Sequence, residues 1–184
     1  MRALGMALAT GLCFTLSGLP AHAQETPQQL AARASAELRL LGSLQVLERM
    51  TSQLNHYMVY SIEAERGGWR AMDKEIGNDY VIRSNADSAK LEVARAHSSI
   101  RKSDVATEDE LKGAEAAVEN LNVLIELAPQ IAEMILADEF DAAAALYKET
   151  GQPARDHAIR GAQSSIGTVQ KRLGKTLLSI RTAK

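Results

Sequence analysis

The sequence predicts an all-α protein, an up-down-up-down four-helix bundle made of two helical hairpins. Three observations predict it. Apolar residues recur at three- or four-residue spacing through nearly the whole chain after the first two dozen residues, the period of a helix face. Two similar helix-start signals, "TPQQL" at Thr26 and "TEDEL" at Thr107, stand 81 residues apart. Aromatic residues make up 4% of the chain while Ala and Leu abound, which suits closely packed helices better than a β-sandwich.

The first residues, "MRALGMALATGLCFTLSGLPAHAQ", place Arg2 before an apolar run from Ala3 to Leu19. Pro20 breaks the run, and Ala21-His22-Ala23 offers small residues where a signal peptidase reads them. This predicts a secretory signal over 1–23, cleaved after Ala23, and a periplasmic mature chain. An uncleaved anchor is the alternative, although the run is short of the roughly 20 apolar residues a span needs. No later segment is apolar enough to span a bilayer, so the mature chain is expected to be soluble. Cys13 has Leu12 before it rather than a small residue, which argues against lipidation. Its loss with the signal would leave no thiol, hence no disulfide, thiolate metal site or cysteine nucleophile. Residues 24–184 form one expected domain of 161 residues with a net charge of −3. Opposite charges are interspersed, which argues against a nucleic-acid footprint and against a polybasic membrane patch.

The first helix should open at Thr26, with Pro27 in its first turn and Gln29 placed for a capping box. Leu30, Ala34, Leu38, Leu41, Leu44, Leu47, Thr51, Leu54, Met58 and Ile62 make its stripe. It should run about 40 residues, about 60 Å, until Gly67-Gly68. The second stripe is Trp69, Met72, Ile76, Tyr80, Ala86, Ala89, Val93, Ala96 and Ile100, with a kink or break expected at Gly77-Asn78. Arg101 to Ala106 reads as a turn. Thr107 and Glu110 predict a second capping box, followed by Leu111, Ala114, Val118, Leu121, Ile125, Ala128, Ile131 and Ile135. Pro129 inside this helix should kink it. "ADEFD" marks a corner around Asp138. The last helix should run from Phe140 toward Thr182 through Ala144, Tyr147, Ile159, Ile166, Val169, Leu173, Leu177 and Ile180. "TGQP", Thr150 to Pro153, should bend it or divide it in two. A long three-helix coil with a broken last arm is the alternative architecture.

Chemistry is sparse. His56, His97 and His157 fall on different helices, and no Glu-x-x-His pair marks a di-iron bundle. No CxxCH, GxSxG, P-loop or HExxH pattern occurs. The histidines read as surface or interfacial side chains; Met50 or Met58 with His157 is the one conceivable haem pair. No cofactor and no catalytic residue is expected. The candidate ligand-binding residues are Thr51, Asn55 and Tyr57, polar groups near the seam of the first helix, with Arg49 or Arg95 as an anion contact. The plain alternative for the first two is that Thr51 bonds back to its own helix and Asn55 points to solvent.

"LGSLQVLER", Leu41 to Arg49, resembles a segment in the first helix of bacterial nitrate/nitrite sensor domains and of the related type IV pili chemotaxis transducer domain. Gly42, Ser43 and Leu44 match the first, and Leu47 the second. The family's anion-binding arginine falls on Gln45 and the following methionine on Val46, so nitrate recognition is not implied. "ILADEFDAAAALYKETGQPARDHAIRGA", Ile135 to Ala162, is similar to the third-to-fourth helix corner of four-helix-bundle chemoreceptor sensor domains. Together these resemblances imply an extracytoplasmic sensor-like bundle, without transmembrane output of its own. The expected partners are a small anionic or polar ligand and a membrane receptor or other periplasmic protein. A homodimer along a helix pair is a further arrangement, and nucleic acid is not expected. The rival function is a structural or chaperone-like interaction protein with no small ligand.

Overall fold

The computed structural model describes residues 25–67 and 77–183. The signal segment and Trp69, Met72 and Ile76 of the second stripe lie outside the described residues. Four long helical rods and no strand make up the described chain: α1 (Pro27–Arg66), α2 (Asn78–Arg101), α3 (Glu108–Leu136) and a last rod built from α4 (Phe140–Leu146), a π turn (Tyr147–Gly151) and α5 (Gln152–Thr182). The protein is an all-α bundle.

Both capping boxes form. Thr26 Oγ1 accepts from the Gln29 amide at 3.2 Å while Gln29 Oε1 accepts from the Thr26 amide at 2.8 Å. Thr107 and Glu110 repeat the exchange at 3.3 and 2.9 Å. Each box satisfies two backbone donors that a helix start leaves unpaired. α2 opens at Asn78, directly after Gly77, and Asn78 Nδ2 donates to Glu65 Oε1 at 2.7 Å, tying the start of α2 to the end of α1. At the α3–α4 corner Asp138 takes φ of 61°. The Asp138 and Glu139 amides bond the Ile135 and Met134 carbonyls at 3.1 and 2.8 Å, the paired bonds of a Schellman close.

Contacts between rods show their order and direction. Along α1 and α2, Ser43 meets Ser99, Arg49 meets Glu92 and Glu65 meets Asn78. Along α1 and α5, Glu37 meets Arg172, Glu48 meets Gln163 and Asn55 meets Arg155. Numbers fall on one helix as they rise on the other, so each pair is antiparallel. The core lies along the common axis, from Leu40, Leu44, Leu47, Leu54 and Met58 on α1 to Leu121, Leu124 and Ile131 on α3. Much of the expected stripe is buried, with three corrections. Leu38 is 54% exposed and its place is taken by Glu37 and Leu40; Tyr80 is 60% exposed, beside a buried Ile82; Leu177 is 50% exposed. The helix faces its neighbours one residue away from where a strict three-or-four count puts it at Leu38 and Leu177, and two residues away at Tyr80.

The "TGQP" interruption resolves as the π turn. The Gln152 amide bonds the Tyr147 carbonyl, five residues back. Pro153 has no amide to give and its ring crowds the carbonyl four residues earlier; widening one turn relieves that crowding while the rod stays helical. α3, by contrast, continues without a break through Pro129.

α3 and α5 cross where both lack a side chain. A Cβ on Gly161 would stand 2.6 Å from the Gly113 carbonyl oxygen. Gly161→Ala is therefore expected to destabilise the fold by about 1–3 kcal/mol through overpacking. Gly42→Ala, whose Cβ meets nothing within 4 Å, is expected to be neutral or to stabilise by up to about 1 kcal/mol. Urea midpoints of the two variants check the contrast.

Candidate functional site

The strongest electrostatic feature is a charge cluster at the α1 N-terminal end of the bundle. Glu37 of α1 and Glu110 of α3 are fully buried, at 0% and 1% exposure. Arg172 of α5 lies between them with 17% of its side chain exposed. Its Nε donates to Glu37 Oε1 at 3.0 Å, and its Nη1 donates to Glu110 Oε1 and Oε2 at 2.8 and 3.0 Å. Arg33 Nε donates to the same Glu37 oxygen at 3.3 Å and Arg33 Nη1 to Glu25 at 3.3 Å. Glu110 thus serves twice, capping α3 and binding the guanidinium. Its backbone carbonyl also accepts from Ser165 Oγ at 3.2 Å. Two buried atoms, Glu37 Oε2 and Arg172 Nη2, have no hydrogen-bond partner among the described residues.

A groove of about 600 Å³ opens over this cluster, between α1, the α2–α3 turn and α5. Arg33, Arg39 and Arg172 line it together with Glu25, Asp104 and Thr107. Three guanidiniums against two carboxylates, with Glu37 and Glu110 behind them, make a lining of mixed sign. Arg39 also borders a shallower groove of about 370 Å³ on the α1–α2 face, over Gly42 and Ser43 and beside Arg95.

The five residues singled out from sequence do not meet. Thr51 is completely buried, and its Oγ1 donates to the Leu47 carbonyl of its own helix at 2.8 Å. Arg49 is 62% exposed and pairs with Glu92 across the α1–α2 face at 3.5 Å. Arg95 lies on that same face, exposed. Tyr57 is half-buried, its ring edge-on to His56 at 5.6 Å. Of the five, Asn55 hydrogen-bonds to the last rod. Its Oδ1 accepts from the Tyr147 hydroxyl and, at 3.5 Å, from Arg155 Nη1, and Arg155 also binds Asp156 at 2.6 Å. Burial pushes the Tyr147 hydroxyl above its ordinary 10, and the Arg155 charge only partly opposes it. The Arg155 guanidinium is held still more firmly protonated, chiefly by its bond to Asp156.

The charge cluster was not among the candidates drawn from sequence. A signal for it exists: Glu37 stands three residues after Ala34 and seven before Leu44, at core spacing on the α1 stripe. Among the described residues, no three His, Asp or Glu side chains group to hold a metal ion. Comparison of the chain with protein-family models, with curated proteins and with solved structures finds no match.

Two outcomes are expected of this site. Arg172→Leu, which leaves buried Glu110 without a cation and Glu37 with Arg33 alone, should cost about 3–5 kcal/mol, and adding Glu37→Leu with Glu110→Gln, which keeps the capping box, should recover part of it; chemical denaturation of both variants checks this. The raised Tyr147 pKa means the folded state favours the protonated phenol. Its contribution is whole below about pH 10 and is lost as pH rises through the folded value. Tyr147→Phe should flatten the fall in thermal stability above pH 10.

Proposed function

We propose that this chain is a non-catalytic, periplasmic, sensor-like bundle that holds a small polar ligand in the groove over the Glu37–Arg172–Glu110 cluster and passes its state to a membrane partner. One observation carries the reading: Arg172, fixed by two buried carboxylates, lines a groove that Arg33 and Arg39 also line. Fixed guanidiniums suit planar carboxylate recognition, because the donor fork loses little freedom when it binds. The Glu25 and Asp104 carboxylates in the same lining favour a ligand that carries a donor, such as an ammonium or hydroxyl, beside its carboxylate over a bare anion. The resemblance of Leu41–Arg49 and Ile135–Ala162 to sensor bundles supports the same assignment. The candidate anion contact moves accordingly, from Arg49 and Arg95 to Arg33 and Arg39.

The rival, a chaperone-like interaction protein, calls for a contiguous exposed apolar surface. Among the described residues the large exposed apolar side chains are single, as Leu38, Tyr80, Leu91 and Leu136 are, or paired, as Val59–Tyr60 and Leu177–Leu178 are, on different helices.

A thermal-shift series on residues 24–184 with nitrate, nitrite, small carboxylates and amino acids tests the proposal. A ligand at 100 times its dissociation constant adds about 2.7 kcal/mol, which moves the midpoint by about 5–11 °C at this size. A selective shift that Arg33→Ala or Arg39→Ala removes, and Thr51→Val leaves alone, is the expected result. Absence of any shift, or one untouched by both arginine variants, overturns the groove as the site.

A further inference from the structure

From His157 to Lys184 the chain carries six Lys or Arg and no Asp or Glu, although the protein as a whole is net negative. The interspersed charge that argues against a polybasic membrane patch for the chain as a whole stops here. Within this stretch Lys171, Lys175, Leu178 and Arg181 follow one another at steps of four, three and three, so they share one face of α5. All four are exposed, while Leu173 and Thr176 on the opposite face are buried. Leu177 borders the cationic face at 50% exposure, and Leu178 within it is 61% exposed. Among the described residues none of Lys171, Lys175 and Arg181 forms an ion pair; Arg172, turned inward, takes the carboxylates of Glu37 and Glu110.

The position of this face matters as much as its charge. The α2–α3 turn reaches the level of Arg33 and Arg39. Beyond the Glu37–Arg172 contact α1 and α5 each continue for ten residues, roughly 15 Å of helix. Their ends meet where Thr26, Pro27 and Leu30 face Ser179 and Thr182. The cationic leucine face therefore lies on a pole of the molecule formed by two helices.

We propose that this pole docks on an anionic lipid surface, with Lys171, Lys175 and Arg181 over the headgroups and Leu177 and Leu178 entering the interface. A helix end that pairs cations with exposed leucines on one side suits that surface, where charge attraction and apolar burial act together. A second copy is the poorer occupant, because an isologous contact sets one cationic face against the same cationic face.

The test is co-sedimentation of residues 24–184, which contain the described bundle, with vesicles of phosphatidylcholine alone or with 30% phosphatidylglycerol. Binding to the anionic vesicles is expected to exceed binding to neutral ones at least tenfold and to vanish in 1 M NaCl, where the screening length falls to about 3 Å. At about fivefold per cation, Lys171→Gln, Lys175→Gln and Arg181→Gln together should weaken it roughly 100-fold. Leu177→Ser with Leu178→Ser should weaken it about tenfold. Equal binding to both vesicle types, salt-resistant binding or no binding of the wild type overturns the proposal. So does retained binding by the triple variant, or a soluble polyanion bound as tightly as the vesicles and unaffected by the serine changes. A wild-type dimer in light scattering that the serine pair dissociates overturns it as well, in favour of a second copy.

Discussion

The Arg172 guanidinium is the interaction on which one end of this bundle depends. It joins three helices that are distant in sequence, through a carboxylate of α1 that is wholly buried and a carboxylate of α3 that also caps its own helix. Removing charges from water costs several kcal/mol per ion, so the gain over an apolar seam is small. What the arrangement does supply is a penalty for error. A seam of Leu and Ala tolerates sliding by a turn, since one apolar contact replaces another. Sliding α1, α3 or α5 separates the guanidinium from a buried carboxylate and strands a charge, which is far costlier than a poor apolar contact. Arg172 therefore sets the register of α1, α3 and α5 where α2 has already ended.

Further along the rod, backbone geometry replaces charge as the constraint. The Gly113–Gly161 crossing brings α3 and α5 too close for a side chain on Gly161. Pro153 then imposes the π turn that begins at Tyr147. Gly151 belongs to the same packing, because a Cβ there would stand 2.5 Å from the Tyr147 ring. The extra residue of the π turn offsets α4 relative to α5, and the Tyr147 hydroxyl, facing α1, finds Asn55. A widened turn, a tyrosine and an asparagine thus act as one unit, with Arg155 and Asp156 alongside.

The charge cluster also positions everything proposed for function. It holds Arg172 rigid at the wall of the groove and keeps that cation turned inward, which leaves Lys171, Lys175 and Arg181 on the outer face of the same helix. The groove proposed for a ligand and the pole proposed for docking consequently lie within about two helical turns of each other. Occupancy of the groove and contact at the pole would act on the same ends of α1 and α5, a short mechanical path for a bundle in which no described helix is long and apolar enough to cross a membrane.

Local signals were enough for the helical class, both capping boxes, the corner at Asp138 and most of the core, because caps, turn chemistry and a 3.6-residue period are written in neighbouring residues. The interruption at Thr150–Pro153 was visible as well, though not its form as a π turn. Tertiary structure decided the rest. Thr51 and Asn55 look alike on a helical wheel, yet one bonds the Leu47 carbonyl of its own helix and the other crosses to Tyr147. Glu37 stands at core spacing with no visible partner, and Glu110 reads as a cap, until α5 brings Arg172 between them. That juxtaposition spans 135 residues from Glu37 to Arg172, and no local pattern encodes it. Sequence by itself determined which segments become helices and roughly which faces they bury. Tertiary packing alone chose which charges share a buried site, because their partners are supplied by other helices.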